Sequence, residues 1–148
     1  MKVVFNLLTG GRLPERQTEG SVGYDLFSCV DLEIEPKKVG LINLGFCMEI
    51  EVGYEAQIRS RSGFALKNQV FVLNSPGTID SDYRGEVAVI LMNLSDNVFK
   101  VSVGDRVAQM VFSKVEAPEM VLSDGLSVFR KKSDIKESRS GGFGSTKI

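Results

Sequence analysis

The chain is predicted to be an all-β sandwich or barrel with one short helix, and three observations lead there. Its apolar segments are short, rich in Val, Ile and Phe, and separated by Gly, Pro, Asn or Asp. No long amphipathic helical pattern interrupts them. Its 148 residues suit one domain with a sizeable core and are too few for two of ordinary size.

Each element follows from its own pattern. Residues 3–8 open as an apolar strand with no cleavable signal pattern before them. Residues 46–52 alternate, which puts Phe46, Met48, Ile50 and Val52 on one face of a half-buried strand. Residues 62–68 carry the one convincing helical start, with Ser62 placed to cap a turn or two. A strand over 70–73 leads into a hairpin, residues 74–85, and out into a strand over 86–93. In that last strand Val87, Val89 and Leu91 face one way and Ala88, Ile90 and Met92 the other, so both faces call for burial. In so small a domain the outer face is expected to meet another subunit, although another layer of the same chain could cover it instead. Residues 106–115 form a further strand, apolar apart from Gln109 and the polar residues near its end. From Arg130 onward Lys, Ser, Glu and Gly dominate, which divides the expected domain into a core, 1–130, and a mobile C-terminal arm, 131–148.

Composition narrows the function. Lys and Arg number 18 against 19 Asp and Glu, and the positive residues are scattered, so the basic stripe that duplex binding needs is missing. No nucleic-acid partner is expected. No stretch approaches the length of a membrane span, and a soluble, cytoplasmic protein is expected. Cys29 and Cys47 stand apart in apolar stretches and read as reduced, buried thiols. The chain has no histidine, which removes the commonest general base and zinc ligand together. Acid–base chemistry must fall to a carboxylate, Lys, Tyr or Cys.

Four segments could carry chemistry. In the hairpin, Ile79 and Tyr83 are larger than a solvated turn needs, and Ile79 offers Asp80 the partial desolvation that makes a carboxylate a better base. A plain turn would also use its Asp, Ser, Gly and Pro. Arg61, Ser62 and Gly63 place a guanidinium, a hydroxyl and a glycine at a helix start, which suits an anion, although a capped helix with surface arginines looks the same. Gly104-Asp105-Arg106 reads as a turn with a local Asp–Arg pair. In the tail, the glycines let backbone approach a phosphate, Ser145 and Thr146 can donate hydrogen bonds, and Phe143 can stack on a base. That composition suits a lid over a nucleotide as well as a flexible end.

Taken together and in order, these segments resemble the five motifs of the trimeric dUTPase family. Gly23-Tyr24-Asp25-Leu26 resembles the first, Arg61-Ser62-Gly63 with Ala65 the second, and Gly77-Thr78-Ile79-Asp80-Ser81-Asp82-Tyr83-Arg84-Gly85 the third. Gly104-Asp105-Arg106-Val107-Ala108-Gln109 and Gly141-Gly142-Phe143-Gly144-Ser145-Thr146 resemble the fourth and fifth. The resemblance implies a jelly-roll-like fold, a homotrimer whose three sites each draw on all three chains, and hydrolysis of dUTP to dUMP and pyrophosphate. That reaction keeps uracil out of DNA and supplies dUMP for thymidylate synthesis.

The resemblance also implies roles. Asp80 activates the attacking water. Tyr83 packs on the deoxyribose, Asn74 and the hairpin backbone at Gly77, Thr78 and Ile79 read the uracil edge, and Phe143 stacks on the ring. Ser62, Gly63 and Gln109 contact the α- and β-phosphates, while Arg61, Arg139, Gly144, Ser145 and Thr146 serve the phosphate chain. Mg²⁺ is held by the triphosphate and water, with Asp25 acting on its water shell and no direct protein ligand. The tail departs from the family pattern twice: Arg139 stands four residues before Phe143 where five is usual, and Lys147 replaces a glycine. Two alternatives are a dCTP deaminase of the same fold, with Glu86 as base, and a nucleotide-sensing module that binds without turnover.

Overall fold

Side chains two apart on a strand share a face, and that period separates core from surface throughout this chain. The computed structural model describes residues 1–122. Within them the strands are β1 (Val3–Leu7), β2 (Tyr24–Phe27), β3 (Leu32–Ile34), β4 (Val39–Asn43), β5 (Phe46–Ile50), β6 (Tyr54–Arg59), β7 (Val70–Val72), β8 (Gly77–Ile79), β9 (Ala88–Asn93), β10 (Phe99–Val101) and β11 (Arg106–Lys114). The single helix among the described residues, α1, spans Ser62–Asn68. The expected arm, 131–148, lies outside the described residues.

The strands pair antiparallel in four sheets, β1-β5, β10-β3, β2-β11-β6-β8 and β4-β9-β7, which wrap one core as a jelly-roll-like barrel. Leu26, Ile42, Leu44, Phe46, Val89, Leu91 and Met110 are almost wholly enclosed there. Alternation explains the assignment strand by strand. In β5, Phe46, Met48 and Ile50 point inward while Glu49 is exposed. The expected inward face does not extend to Val52, which is 87% exposed, because the strand stops at Ile50 and the chain turns, with Tyr54 N–H donating to Glu51 O.

The hairpin over 74–85 is more elaborate than a turn. Strands β7 and β9 pair as expected, Val70 opposite Asn93 and Val72 opposite Leu91. The segment between them supplies β8, which leaves its own hairpin and joins β6 in the other sheet, Ile58 opposite Gly77. Strand β9 starts at Ala88, two residues later than the sequence predicts. Its inner residues Val89 and Leu91 are fully enclosed, whereas Ala88, Ile90 and Met92 are half-buried on the outside. Opposite them on β4, Val39 and Leu41 are 52% and 59% exposed, and Phe71 of β7 lies across from Met92. The outer face of this sheet is therefore a continuous apolar strip.

Helix α1 has the predicted bounds but a different cap. Arg61 occupies the N-cap with extended backbone and no capping side chain, and Ser62 is already helical. Both cysteines are free and half-buried rather than enclosed. No helix of the described residues is long and apolar enough to cross a membrane.

One buried polar residue ties the barrel end together. Asn93 is fully enclosed, and its amide donates to Ile34 O at 2.9 Å and Asn97 O at 2.8 Å while its oxygen accepts from Ser95 N–H and Oγ. Asn93→Ala leaves those buried partners unsatisfied and should cost about 2 to 3 kcal/mol of stability, measurable by urea unfolding.

Candidate active site

Strand β11 is paired on both edges, and its register lines up three chemically active residues. Gln109 lies opposite Asp25 of β2 on one side and Arg59 of β6 on the other. Cross-strand partners share a face, so Asp25 and Gln109 project together. Gly23 leaves room for this: a Cβ there would collide with the Gln109 amide oxygen. The Gln109 amide N–H donates to Ser60 O at 2.9 Å, which joins β11 to the entrance of α1.

Asp25 is the centre of the cluster. Its carboxylate is nearly buried, with Arg61 Nε at 3.3 Å from Oδ1 and Arg106 Nη1 at 3.2 Å from Oδ2. Arg61 Nη1 also donates to Arg106 O at 2.6 Å. Two guanidinium groups thus converge on one carboxylate, leaving one positive charge in excess at the mouth of α1. The surplus suits a polyanion. Oδ2 accepts one N–H from Arg106 while Arg61 stands against Oδ1 as an ion-pair partner, so both oxygens keep accepting capacity. Among the described residues no three of His, Cys, Asp and Glu converge.

Arg106 is the residue that sequence reasoning missed. The local Asp105–Arg106 pair does not form: Asp105 Oδ2 accepts from Ser102 N–H at 2.8 Å, and Arg106 turns to Asp25 instead. Strict alternation from Gln109 would put Arg106 on the opposite face. A register shift between Arg106 and Ala108 re-aims it. The one available signal was a charged residue opening an otherwise apolar strand.

Ser62 and Gly63 are exposed in the first turn of α1, where backbone N–H groups have no helical partner. Ser60 ties this turn to the hairpin, since its N–H donates to Ser75 Oγ at 3.3 Å and its Oγ accepts from Val72 N–H at 2.9 Å. Asn74 is exposed beside Gly77, which is buried against Ile58. These groups lie at the same end of β6 as the arginine cluster.

Asp80 does not. It follows Ile79, the last residue of β8, which pairs with Ala56, three residues along β6 from Arg59. At the usual rise of a strand Ile79 is about 10 Å from the row of Asp25, Gln109 and Arg59, and Asp80 lies beyond it. Asp80 is exposed and Ile79 only half-buried, so the desolvation suggested by the sequence has no source among the described residues. Tyr83 is 42% exposed, with its hydroxyl donating to Glu86 O at 2.9 Å. Glu86 itself is occupied: its carboxylate accepts from Asn43 Nδ2 at 2.9 Å and Gly45 N–H at 3.1 Å. It braces the hairpin base. Burial, and then the negative charge of Glu86, push the Cys29 thiol up from its ordinary value, which keeps it protonated and a poor base. Arg139, Phe143, Gly144, Ser145 and Thr146 lie outside the described residues.

Comparison with known proteins gives this arrangement a family. The family model described as dUTPase matches residues 10–147. The deoxyuridine 5'-triphosphate nucleotidohydrolase of Helicobacter pylori strain P12 is 52% identical over 136 residues, covering 92% of this chain and 89% of the relative. That of a Picosynechococcus strain is 51% identical over 134 residues, covering 90% and 89%. Among solved structures, a Staphylococcus bacteriophage 80alpha dUTPase mutant aligns with a TM-score of 0.84 at 23% identity, covering 99% of both chains. The dUTPase from phage phi11 of S. aureus aligns with a TM-score of 0.79 at 23% identity, covering 87% of this chain and all of the other. The structural likenesses establish the fold, and the family match with relatives half identical over most of the chain establishes more: the chain belongs to the dUTPase family.

Proposed function

We propose that this protein hydrolyses dUTP to dUMP and pyrophosphate, in sites shared between copies of the chain. The observation that carries the reading is a division within one chain: an anion-binding cluster at one end of β6, and an exposed carboxylate just past the residue that pairs about 10 Å away along it. A base that acts on a phosphate bound at the cluster must then come from another copy. Relatives named for this activity support the substrate assignment. The apolar strip of Val39, Leu41, Phe71, Ile90 and Met92 supports assembly through the β4-β9-β7 face, as a homotrimer with three equivalent sites.

In this reading Asp80 accepts a proton from water, the water oxygen bonds to the α-phosphorus, and the bond to the bridging oxygen breaks to release pyrophosphate. Ser62, Gly63 and Gln109 hold the α- and β-phosphates, and Arg61, Arg139, Ser145 and Thr146 the rest of the chain. Asn74 and the backbone of Gly77, Thr78 and Ile79 read the uracil edge. Tyr83 excludes a 2′-hydroxyl, with its ring fixed by the bond to Glu86 O. Phe143 stacks on the base, and Gly144 lets the arm's backbone close on the phosphates. Asp25 would act through water on a Mg²⁺ ion carried by the triphosphate, and such an ion would supply charge neutralisation for the leaving pyrophosphate.

Three outcomes are expected. Asp80→Asn keeps nucleotide binding by calorimetry and loses about a thousandfold in pyrophosphate release; unchanged release means that Asp80 is not the base. With wild-type protein, release from dUTP exceeds that from dTTP, dCTP and UTP and collapses in EDTA, and ammonia release from dCTP at a comparable rate points to the deaminase instead. Removal of residues 138–148 leaves a folded assembly by size-exclusion chromatography with little activity, and full turnover without the arm rules out the lid.

A further inference from the structure

Loop 80–85 carries the proposed base and the sugar-excluding tyrosine, yet it belongs to no sheet. Among the described residues its internal bonds are few: Tyr83 N–H donates to Asp80 O at 3.2 Å, and the Tyr83 hydroxyl to Glu86 O at 2.9 Å. The remaining ties all pass through one side chain. Arg84 Nη1 donates to Ser81 O at 2.7 Å and to Tyr83 O at 3.1 Å, gathering the carbonyls on either side of the loop's tip. Its Nη2 faces Glu49 Oε1 at 3.6 Å. Glu49 stands on the outer face of β5, a strand held against β1 by five residue pairs. Arg84 therefore makes the one hydrogen-bond or ion-pair link among the described residues from loop 80–85 to a strand outside its own hairpin.

We propose that Arg84, oriented by Glu49, is a positioning residue that sets the geometry of Asp80 and Tyr83 for catalysis and sugar discrimination. The inference rests on the roles proposed above for those two residues. A guanidinium suits the task because its planar fork serves two carbonyls and a carboxylate at once, whereas an ammonium is a point donor. Magnitudes separate this role from plain stabilisation. Arg84 and Glu49 are 53% and 63% exposed, and an ion pair so open to water contributes little to folding. Displacing a base by about 1 Å, in contrast, costs about a hundredfold in rate. Gly85 adds to the tightness of the loop, since a Cβ there would press on the Tyr83 hydroxyl.

The test measures kcat and KM for dUTP and UTP in full-length protein. Arg84→Met should lower kcat for dUTP about tenfold or more, raise KM less than about threefold, and reduce the preference for dUTP over UTP about tenfold, with little change in thermal midpoint. Arg84→Lys should recover part of both losses. Glu49→Gln should move both in the same direction by less, and it carries the test if Arg84→Met fails to fold. Unchanged kcat and unchanged dUTP preference overturn the proposal, as does a loss of activity that tracks loss of folded protein with the preference intact. Wild-type protein and Asp80→Asn run alongside keep the two readings apart: no wild-type release from dUTP, or an active Asp80→Asn, counts against the proposed function, whereas a normal Arg84→Met in an otherwise behaving set counts against the positioning role alone.

Discussion

The two ladders on β11 hold the candidate site in place. One fixes Asp25 opposite Gln109 and the other fixes Arg59 opposite the same residue, so three segments far apart in the chain meet at one level of one sheet. The end of β6 then delivers Ser60, Arg61 and the first turn of α1 to that level. A nearly buried carboxylate is costly unless paired, and here two arginines pair it. The same pairing orients both guanidinium groups, which leaves the cluster positively charged and stiff. A one-residue slip of β11 would turn Gln109 away from Asp25 and dissolve the arrangement.

The hairpin obeys a different constraint. Its strands β7 and β9 belong to one sheet while β8, between them, adds to another, so the segment crosses the barrel wall. The crossing carries Asn74 and Gly77 near the arginine cluster and Asp80 away from it. An enzyme that needs both ends at one phosphate can satisfy this geometry by association. The apolar strip on the β4-β9-β7 face provides a physical reason to associate, because leaving Val39 and Leu41 in water forfeits the free energy of burying them. Assembly and catalysis would then be consequences of one sheet geometry.

Much of this was legible in the residues. Alternation over 46–52 identified the inward face of β5, and the two-sided apolar pattern over 86–93 foretold both the enclosed Val89 and Leu91 and the apolar exterior. Gln109, out of place in an apolar strand, proved to sit beside Asp25. The helix was recoverable from the local sequence over 62–68, although its cap was not. Other features had no sequence signal. Asp105 and Arg106 are adjacent and opposite in charge, so a local pair was the natural expectation, yet the bulge sends Arg106 to a residue 81 positions away. Val52 continued the alternation, but a turn at Gly53 ended the strand first.

What the sequence determined by itself is periodicity and order: which residues must avoid water, where the chain turns, and that five short motifs follow one another as they do in the dUTPase family. These are local properties, set by side-chain chemistry at fixed spacing. Tertiary structure alone decided which motifs meet. The convergence of Arg61 and Arg106 on Asp25, and the separation of Asp80 from them, depend on strand register and on one bulge. Register is fixed by the packing of the whole core, so neither could be read from any single stretch of the chain.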